Sequence, residues 1–549
     1  MQVFRNLRSF IVAAALSPAL AVFPAWSATP AAGTTSRSAP ATRSPDSGAA
    51  VHHDTSPTLR SLWESYGNLP TAPYTERPRQ KLRPLRSQPP HHLAPDPVVQ
   101  NHQGTRPRIP LRNNFEGIPG EGPTPPDPNS SVGSRQIVEV VNTRLAVYSK
   151  TGDPVLGPLA TNILWSGFGG LCQTTNSGDA VVRWDTLARR WIISQLAFNQ
   201  AQTSFRLCVG VSSNEDATGS YHRYDFRYRH LPDYPKVGVW PDAYYVGINN
   251  ADQDVAEVCA WDRERMLRGA SAQQQCYNVP TPPHNNFAGF LLPSDLDGRN
   301  APPRDTPNTL VTMGATDDTL QYWRFHVDWA NQGKTTVTGP GTLHVAPYTR
   351  ACENTNPERC VPQANTTQTL DSLSYWPMYR LAYRNFRNGR QSLVFNHAVD
   401  ANGGVGTRWY ELQLRNGVPV VEQQSTYAPD ATYRWMGSVA QDGDGDMALG
   451  YSRSSAVDFP SIRVTARLAD DPENLMTFQE TTVRNGAAFQ SGSNRWGDYT
   501  SMAIDPSDDC TFWYTNQYQE TPGHGNWRTR LASFRLPGCG HGHGHGHGH

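Results

Sequence analysis

One unit of sequence returns along most of this chain and limits what it can fold into. A polar or Trp-bearing entry leads into an apolar strand, an Asp- or Asn-rich turn follows, and a second strand ends in Tyr, Phe or Asn. Val181-Val182-Arg183-Trp184-Asp185 turns into Trp191-Ile192-Ile193-Ser194-Gln195. Val237-Gly238-Val239-Trp240-Pro241-Asp242 leads into Ala243-Tyr244-Tyr245-Val246-Gly247-Ile248-Asn249. Tyr379 to Tyr383 turns at Asn388-Gly389 into Ser392 to Asn396, and Trp435 to Ala440 turns at Asp442-Gly443 into Met447 to Tyr451. Trp496-Gly497-Asp498-Tyr499 leads through Ser501 to Ile504 and a turn at Asp505 to Asp509 into Thr511-Phe512-Trp513-Tyr514. A unit of this length built from strands alone predicts an all-β fold, a β-propeller with one four-stranded sheet per unit. With strands near 143 and 312 the count is seven blades over residues 111–539, six and eight being the neighbouring counts. A pair of β-sandwich domains is the alternative, disfavoured because the repeat runs across any midpoint. The best helical candidate, Val258 to Gly269, is one short helix at most.

The flanks read differently. Arg5 and Arg8 precede an apolar run from Phe10 to about Phe23 and the small-residue stretch Ala25-Trp26-Ser27-Ala28, so residues 1–28 are expected to be a secretory signal. Pro18 and Pro24 interrupt that run, and no other segment reaches the ~18 apolar residues of a stable membrane span. Residues 29–110 hold 14 prolines and ten basic against five acidic side chains, without apolar periodicity. Such a stretch buries too little apolar surface to offset its ordering entropy, so a flexible segment or pro-region is expected, with at most a helical turn at Leu59 to Tyr66. At the other end, residues 540–549 alternate His and Gly. The imidazoles of His541, His543, His545, His547 and His549 suit Cu(II), Ni(II) or Zn(II), so this tail is a candidate metal ligand set.

Charge balance needs the same division. The whole chain has 48 basic and 48 acidic side chains, but residues 111–549 alone have 36 against 43. A mildly acidic body argues against nucleic acid or an anionic membrane as the main partner, and a secreted monomer, extracellular or periplasmic, is expected. All eight cysteines lie in the body, and without a Cys-x-x-Cys pair an exported chain favours disulfides over metal. Eight cysteines permit 105 pairings. Short loops favour Cys352–Cys360 and Cys259–Cys276, leaving Cys172–Cys208 and Cys510–Cys539 as the un-nested remainder.

Several motifs resemble a family of exported bacterial proteins with sialidase-like β-propeller architecture. They are Arg495-Trp496-Gly497-Asp498-Tyr499-Thr500-Ser501-Met502 with Asp505-Pro506 and Asp508-Asp509-Cys510-Thr511-Phe512-Trp513-Tyr514-Thr515, Pro125-Pro126-Asp127-Pro128-Asn129, Tyr234 to Asp242, Leu291 to Gly298, Met378 to Phe386 and Tyr433 to Ser438. The resemblance spans about residues 123–539 and implies the propeller fold and export. The Asp505 to Thr511 turn departs from the sialidase-type Ser-x-Asp-x-Gly-x-Thr-aromatic turn in spacing and in its missing Gly.

The repeat should deliver similar side chains to one rim. Aromatic faces stack on pyranose rings, guanidinium forks bind carboxylates, and a carboxyl pair supplies acid and base. The expected function is therefore binding of a glycan or surface polymer on the central face. A sialidase-like glycoside hydrolase or polysaccharide lyase on the same scaffold is one alternative, and an adhesion or matrix protein with a metal-capturing tail is another. Candidate catalytic residues are Arg380, Arg434, Arg495, Tyr499, Asp498 and Asp127, with Trp240, Asp242, Trp435 and Trp496 as ligand contacts. Asp179 and Asp233 belong to the same rim. The competing assignment has these Arg and Asp residues locking blades together and the Trp residues packing between sheets. Asp442, Asp444 and Asp446 resemble the start of a calcium loop but lack its later Gly and Glu, and Asp-Gly pairs also favour hairpin turns.

Overall fold

The computed structural model of the chain describes residues 46–67, 95–120, 123–250, 255–281, 290–352, 359–374 and 376–540. The fold is all-β. Antiparallel meanders follow one another, opening on Asn129–Val132, Val181–Asp185, Asp233–Val239, Leu292–Asp297, Met378–Asn385, Tyr433–Gln441 and Ser501–Ile504. These opening strands pack side by side in that order, and Ser501–Ile504 returns against Asn129–Val132, closing a ring. Leu292–Asp297 and Met378–Asn385 also pair in parallel, fusing their sheets. The arrangement is that of a β-propeller. Strands near its axis, such as Val181–Asp185 and Tyr244–Asn250, are buried at every residue, which is why they read as apolar runs instead of alternating.

Ring closure joins the two ends of the body. Leu111–Pro119 is the outer strand of the sheet formed by Ser501–Ile504, Thr511–Gln519 and Trp527–Arg535. All four favoured disulfides are present: Cys172–Cys208, Cys259–Cys276, Cys352–Cys360 and Cys510–Cys539. The Val258 to Gly269 helix is corrected. Val255–Trp261 is a strand, aligned so that Cys259 faces its partner Cys276, and only Arg263–Leu267 is helical, capped by Asp262.

The described parts of the Pro-rich segment are ordered, against expectation. Asp46–Ala49 adds to the edge of Gln273–Val279, His52–Thr55 to that of Tyr221–Tyr228, and Val99–Gln100 runs parallel to Val418–Tyr427. The helix Leu59–Tyr66 forms, with Thr58 accepting the Ser61 N–H, and buries Leu59 and Leu62. Arg223 forks onto Asp54 at 2.7 and 2.5 Å. Pieces of two to eight residues on pre-existing edges need no core of their own, so composition missed them. Residues 1–45 and the tail 541–549 lie outside the described residues.

Close approach between neighbouring sheets depends on glycines such as Gly238 and Gly247. A Cβ on Gly247 would stand 1.8 Å from the Leu291 carbonyl oxygen. Gly247→Ala is expected to cost about 3 kcal/mol by overpacking. Gly48→Ala, with open space around it, should stay within about 0.5 kcal/mol. Chemical denaturation of both variants checks this.

Candidate functional site

The opening strands begin at one end of the ring, where four entry segments meet. Asp127, Asp179 and Tyr234 each stand near φ 50°, at 51°, 49° and 53°, just before or at the start of their strands. Three non-glycine residues in the left-handed region mark the entries as held by their surroundings.

What holds them is a closed loop of hydrogen bonds. The Asp498 N–H donates to Asp127 at 2.7 Å, and the Asn142 amide donates to the other Asp127 oxygen at 2.6 Å. The Asn142 carbonyl accepts from the Asp179 N–H at 2.7 Å, and Asp179 accepts from the Tyr234 N–H at 3.2 Å. The Tyr234 hydroxyl then donates to the Asp498 carbonyl at 3.3 Å, completing the circuit. Arg495 pairs with Asp498 at 2.9 Å.

Lys236 sits inside this circuit, fully buried. Its ammonium lies 3.6 Å from the ring centroid of Tyr234 and 3.9 Å from that of Tyr499, and donates to the Pro235 carbonyl at 3.2 Å. Trp376 and Phe290 pack on Tyr234 at 4.6 and 4.9 Å. Burial pushes the Lys236 amine down to about 8, opposed by the charges of Asp179, Asp127, Asp498 and Asp233, so it is protonated at pH 7. Burial raises the Asp127 carboxyl well above the usual range, helped by Asp498 and Asp179 and opposed by Arg495. The Tyr499 hydroxyl is likewise pushed up by burial and then by Asp127. Among the described residues named here, four aspartates face Lys236 and Arg495.

A second layer lies deeper along the axis. Arg380 is buried, pairs with Asp295 at 3.2 Å and with Asp297, and donates Nε to the Met502 carbonyl at 3.2 Å. Arg183 reaches Asp295 from its own opening strand at 2.8 Å. Each guanidinium is thus committed to carboxylates of the ring.

The expected single rim therefore divides. Asp127, Asp498, Arg495 and Tyr499 come together as expected, with Asp179 and Asp233 beside them. Arg380 belongs to the layer below. Arg434 is buried away from both, held by Asp430 at 2.8 Å and Glu480 at 3.0 Å. Trp435 and Trp496 are buried 6.0 Å apart, and the Trp496 Nε1 donates to Ser452. Trp240 and Asp242 follow the far end of Asp233–Val239, a seven-residue strand of roughly 20 Å, and cannot share a rim with Tyr234. Trp240 packs on Tyr383 and donates Nε1 to the Thr306 carbonyl. Asp242 accepts from the Tyr245 hydroxyl, and burial lifts its carboxyl to about 6.

Of the two readings of the Asp442 loop, the backbone forms the turn. One Asp442 oxygen accepts the N–H groups of Asp444, Gly445 and Asp446 at 3.0, 3.1 and 3.0 Å. Asp446 accepts from the Ala469 N–H and Asp444 from the Gly540 N–H. One oxygen of each of these carboxylates is thus engaged by backbone. Glu257, Cys259 and Cys276 cluster as well, but the cysteines are disulfide-bonded and offer no thiolate. Sequence reasoning passed over Lys236, Asn142, Tyr234 and Arg183 as site residues. Lys236 carried a signal: it is one of only four lysines beside 44 arginines, where a compact ammonium replaces the usual fork.

No family model matches the chain, and no curated protein matches it. Several solved structures are similar at low scores. A protein of unknown function from Dyadobacter fermentans is 10% identical over 78% of this chain and 100% of its own, with a TM-score of 0.33. An ulvan lyase representing a new polysaccharide lyase family is 11% identical over 78% and 94%, at 0.34. An α-L-arabinofuranosidase from Fusarium graminearum is 9% identical over 79% and 99%, at 0.32. No helix among the described residues is long and apolar enough to cross a membrane.

Proposed function

We propose that this protein is an exported, monomeric, seven-bladed propeller that binds an extracellular glycan or surface polymer at the mouth where the entry segments meet. The observation that carries the reading is the circuit of Asp127, Asn142, Asp179, Tyr234 and Asp498 around Lys236. It joins entry segments more than a hundred residues apart and leaves Arg495, Asp179 and Asp233 partly exposed at its outer edge. The circuit fixes the partly exposed Asp179 and Asp233 carboxylates as acceptors for sugar hydroxyls, and the partly exposed Arg495 supplies a fork for a carboxylate. Four disulfides support an oxidising compartment. His541 to His549 are carried in this reading as ligands for Cu(II), Ni(II) or Zn(II).

Binding is preferred to turnover because Asp127, Lys236 and Tyr499 are sealed from solvent. The hydrolase or lyase reading draws on one observation, the raised Asp127 carboxyl, which would hold a proton for donation nearer neutrality. The test is retention of the full chain on immobilised bacterial envelope polysaccharides, with products assayed in the eluate. Retention without product, weakened about tenfold or more by Arg495→Ala, is the expected result. No retention sinks the binding reading. Product formation abolished by Tyr499→Phe replaces it with the enzymatic one.

A further inference from the structure

A second charged feature lies on the far face. Trp527–Arg535 runs from the mouth end to the opposite end, so Arg535 and its neighbour Leu111 sit there. A cavity of about 430 Å³ beside them is lined by Arg106, Arg108, Arg112 and Arg535, with Phe478 and Leu536 among its apolar walls. Arg106 pairs with Asp471 at 2.5 Å, and Arg535 lies 3.9 Å from Asp508. Arg108 and Arg112 are exposed and have no carboxylate partner among the described residues. Among the described residues these two guanidinium charges are exposed at the groove, in a body whose balance is acidic.

We propose that this groove binds a linear anionic polysaccharide, one bearing carboxylates or sulfates along its length. A lone anion is held by donors converging on one point, whereas Arg106, Arg108 and Arg112 are strung along a single backbone segment. Ile109 is buried between the latter two, fixing the segment against the body. At extended spacing the three span roughly 20 Å, matching a charged chain in series. Pro107, Pro110 and Pro537 line the groove with rigid apolar surface of the kind that packs on the C–H faces of sugar rings. The Phe478 ring is already covered by the Arg106 guanidinium, 5.6 Å from its centroid, and is not open for stacking a nucleobase. This site is independent of the mouth, so the two ligands can be engaged together.

The test uses the full chain with dextran sulfate, polygalacturonate, uncharged dextran and single-stranded DNA as probes at low salt. Binding to dextran sulfate or polygalacturonate is expected, weakening as salt screens the charges, with none to dextran. The Arg108→Glu/Arg112→Glu double variant should bind at least about tenfold more weakly, with an unchanged melting midpoint because both side chains are exposed. The loss caused by Arg108→Glu/Arg112→Glu should be the same in an Arg495→Ala background, which separates failure of one site from failure of the other. Unchanged affinity in the double variant overturns the proposal, as does DNA binding as tight as that of either anionic glycan.

Discussion

Lys236→Met is expected to destabilise the protein by about 3–5 kcal/mol, the cost of leaving buried carboxylates without their cation. The methionine fills the volume and keeps the apolar contact with Tyr234 and Tyr499, so packing contributes little of the loss. What remains is Asp127, Asp179, Asp498 and Asp233 with the Arg495 guanidinium beside them. Adding Asp179→Asn removes one of those negative charges, and the Lys236→Met/Asp179→Asn double variant should recover at least about 1 kcal/mol. Denaturant unfolding of the single and double variants measures both. A double variant no more stable than Lys236→Met would mean that the loss is steric and the electrostatic account is wrong. Lys236 also sets a pH trend. Its folded value near 8 lies below the ordinary 10.5, so the unfolded chain holds the extra proton between those values. Its contribution therefore raises stability as pH climbs from 8 to 10.5.

The second large effect runs in the opposite direction. Glu139 is fully buried in Gln136–Val141, where the Ile118 N–H donates to it at 3.2 Å and burial raises its carboxyl to about 7. Between pH 4.5 and 7 the unfolded chain loses this proton and the native one keeps it, so stability falls as pH rises through that window. A rise of about 2.5 in pKa corresponds to about 3 kcal/mol. Glu139→Gln keeps the shape and the acceptor for Ile118 but cannot ionise. Relative to wild type, the variant should gain about 3 kcal/mol between pH 4 and pH 8, read from unfolding midpoints across that range. Every other titrating group is shared, so the difference isolates this carboxyl. Parallel stability curves would refute the assignment.

Much of the architecture was legible because it is local. Each unit carries its own turns, as at Asn388-Gly389 and Asp442-Gly443, and short loops pair the cysteines. The site was half legible. Asp127, Arg495, Asp498 and Tyr499 stand immediately before their strands, and position in the repeat alone brings them together. Trp240 and Asp242 share a motif with Lys236 but follow it across a strand, and a linear motif does not say which end of the ring a side chain reaches. Arg380 looked available because its carboxylate Asp295 is 85 residues away. Long-range pairing of this kind leaves no trace in spacing. The edge strands at 46–55 are too short to show a period.

Closure of the ring has a temporal meaning. Arg530 and Asn114, bonded across the last sheet, are 416 residues apart in the chain. At about 5–20 residues per second of synthesis, Leu111–Pro119 waits roughly 20–80 s for its partner strand. Throughout that interval an unpaired edge stands ready for any other strand, a hazard that closure removes. Folding can finish only once Trp527–Arg535 has emerged.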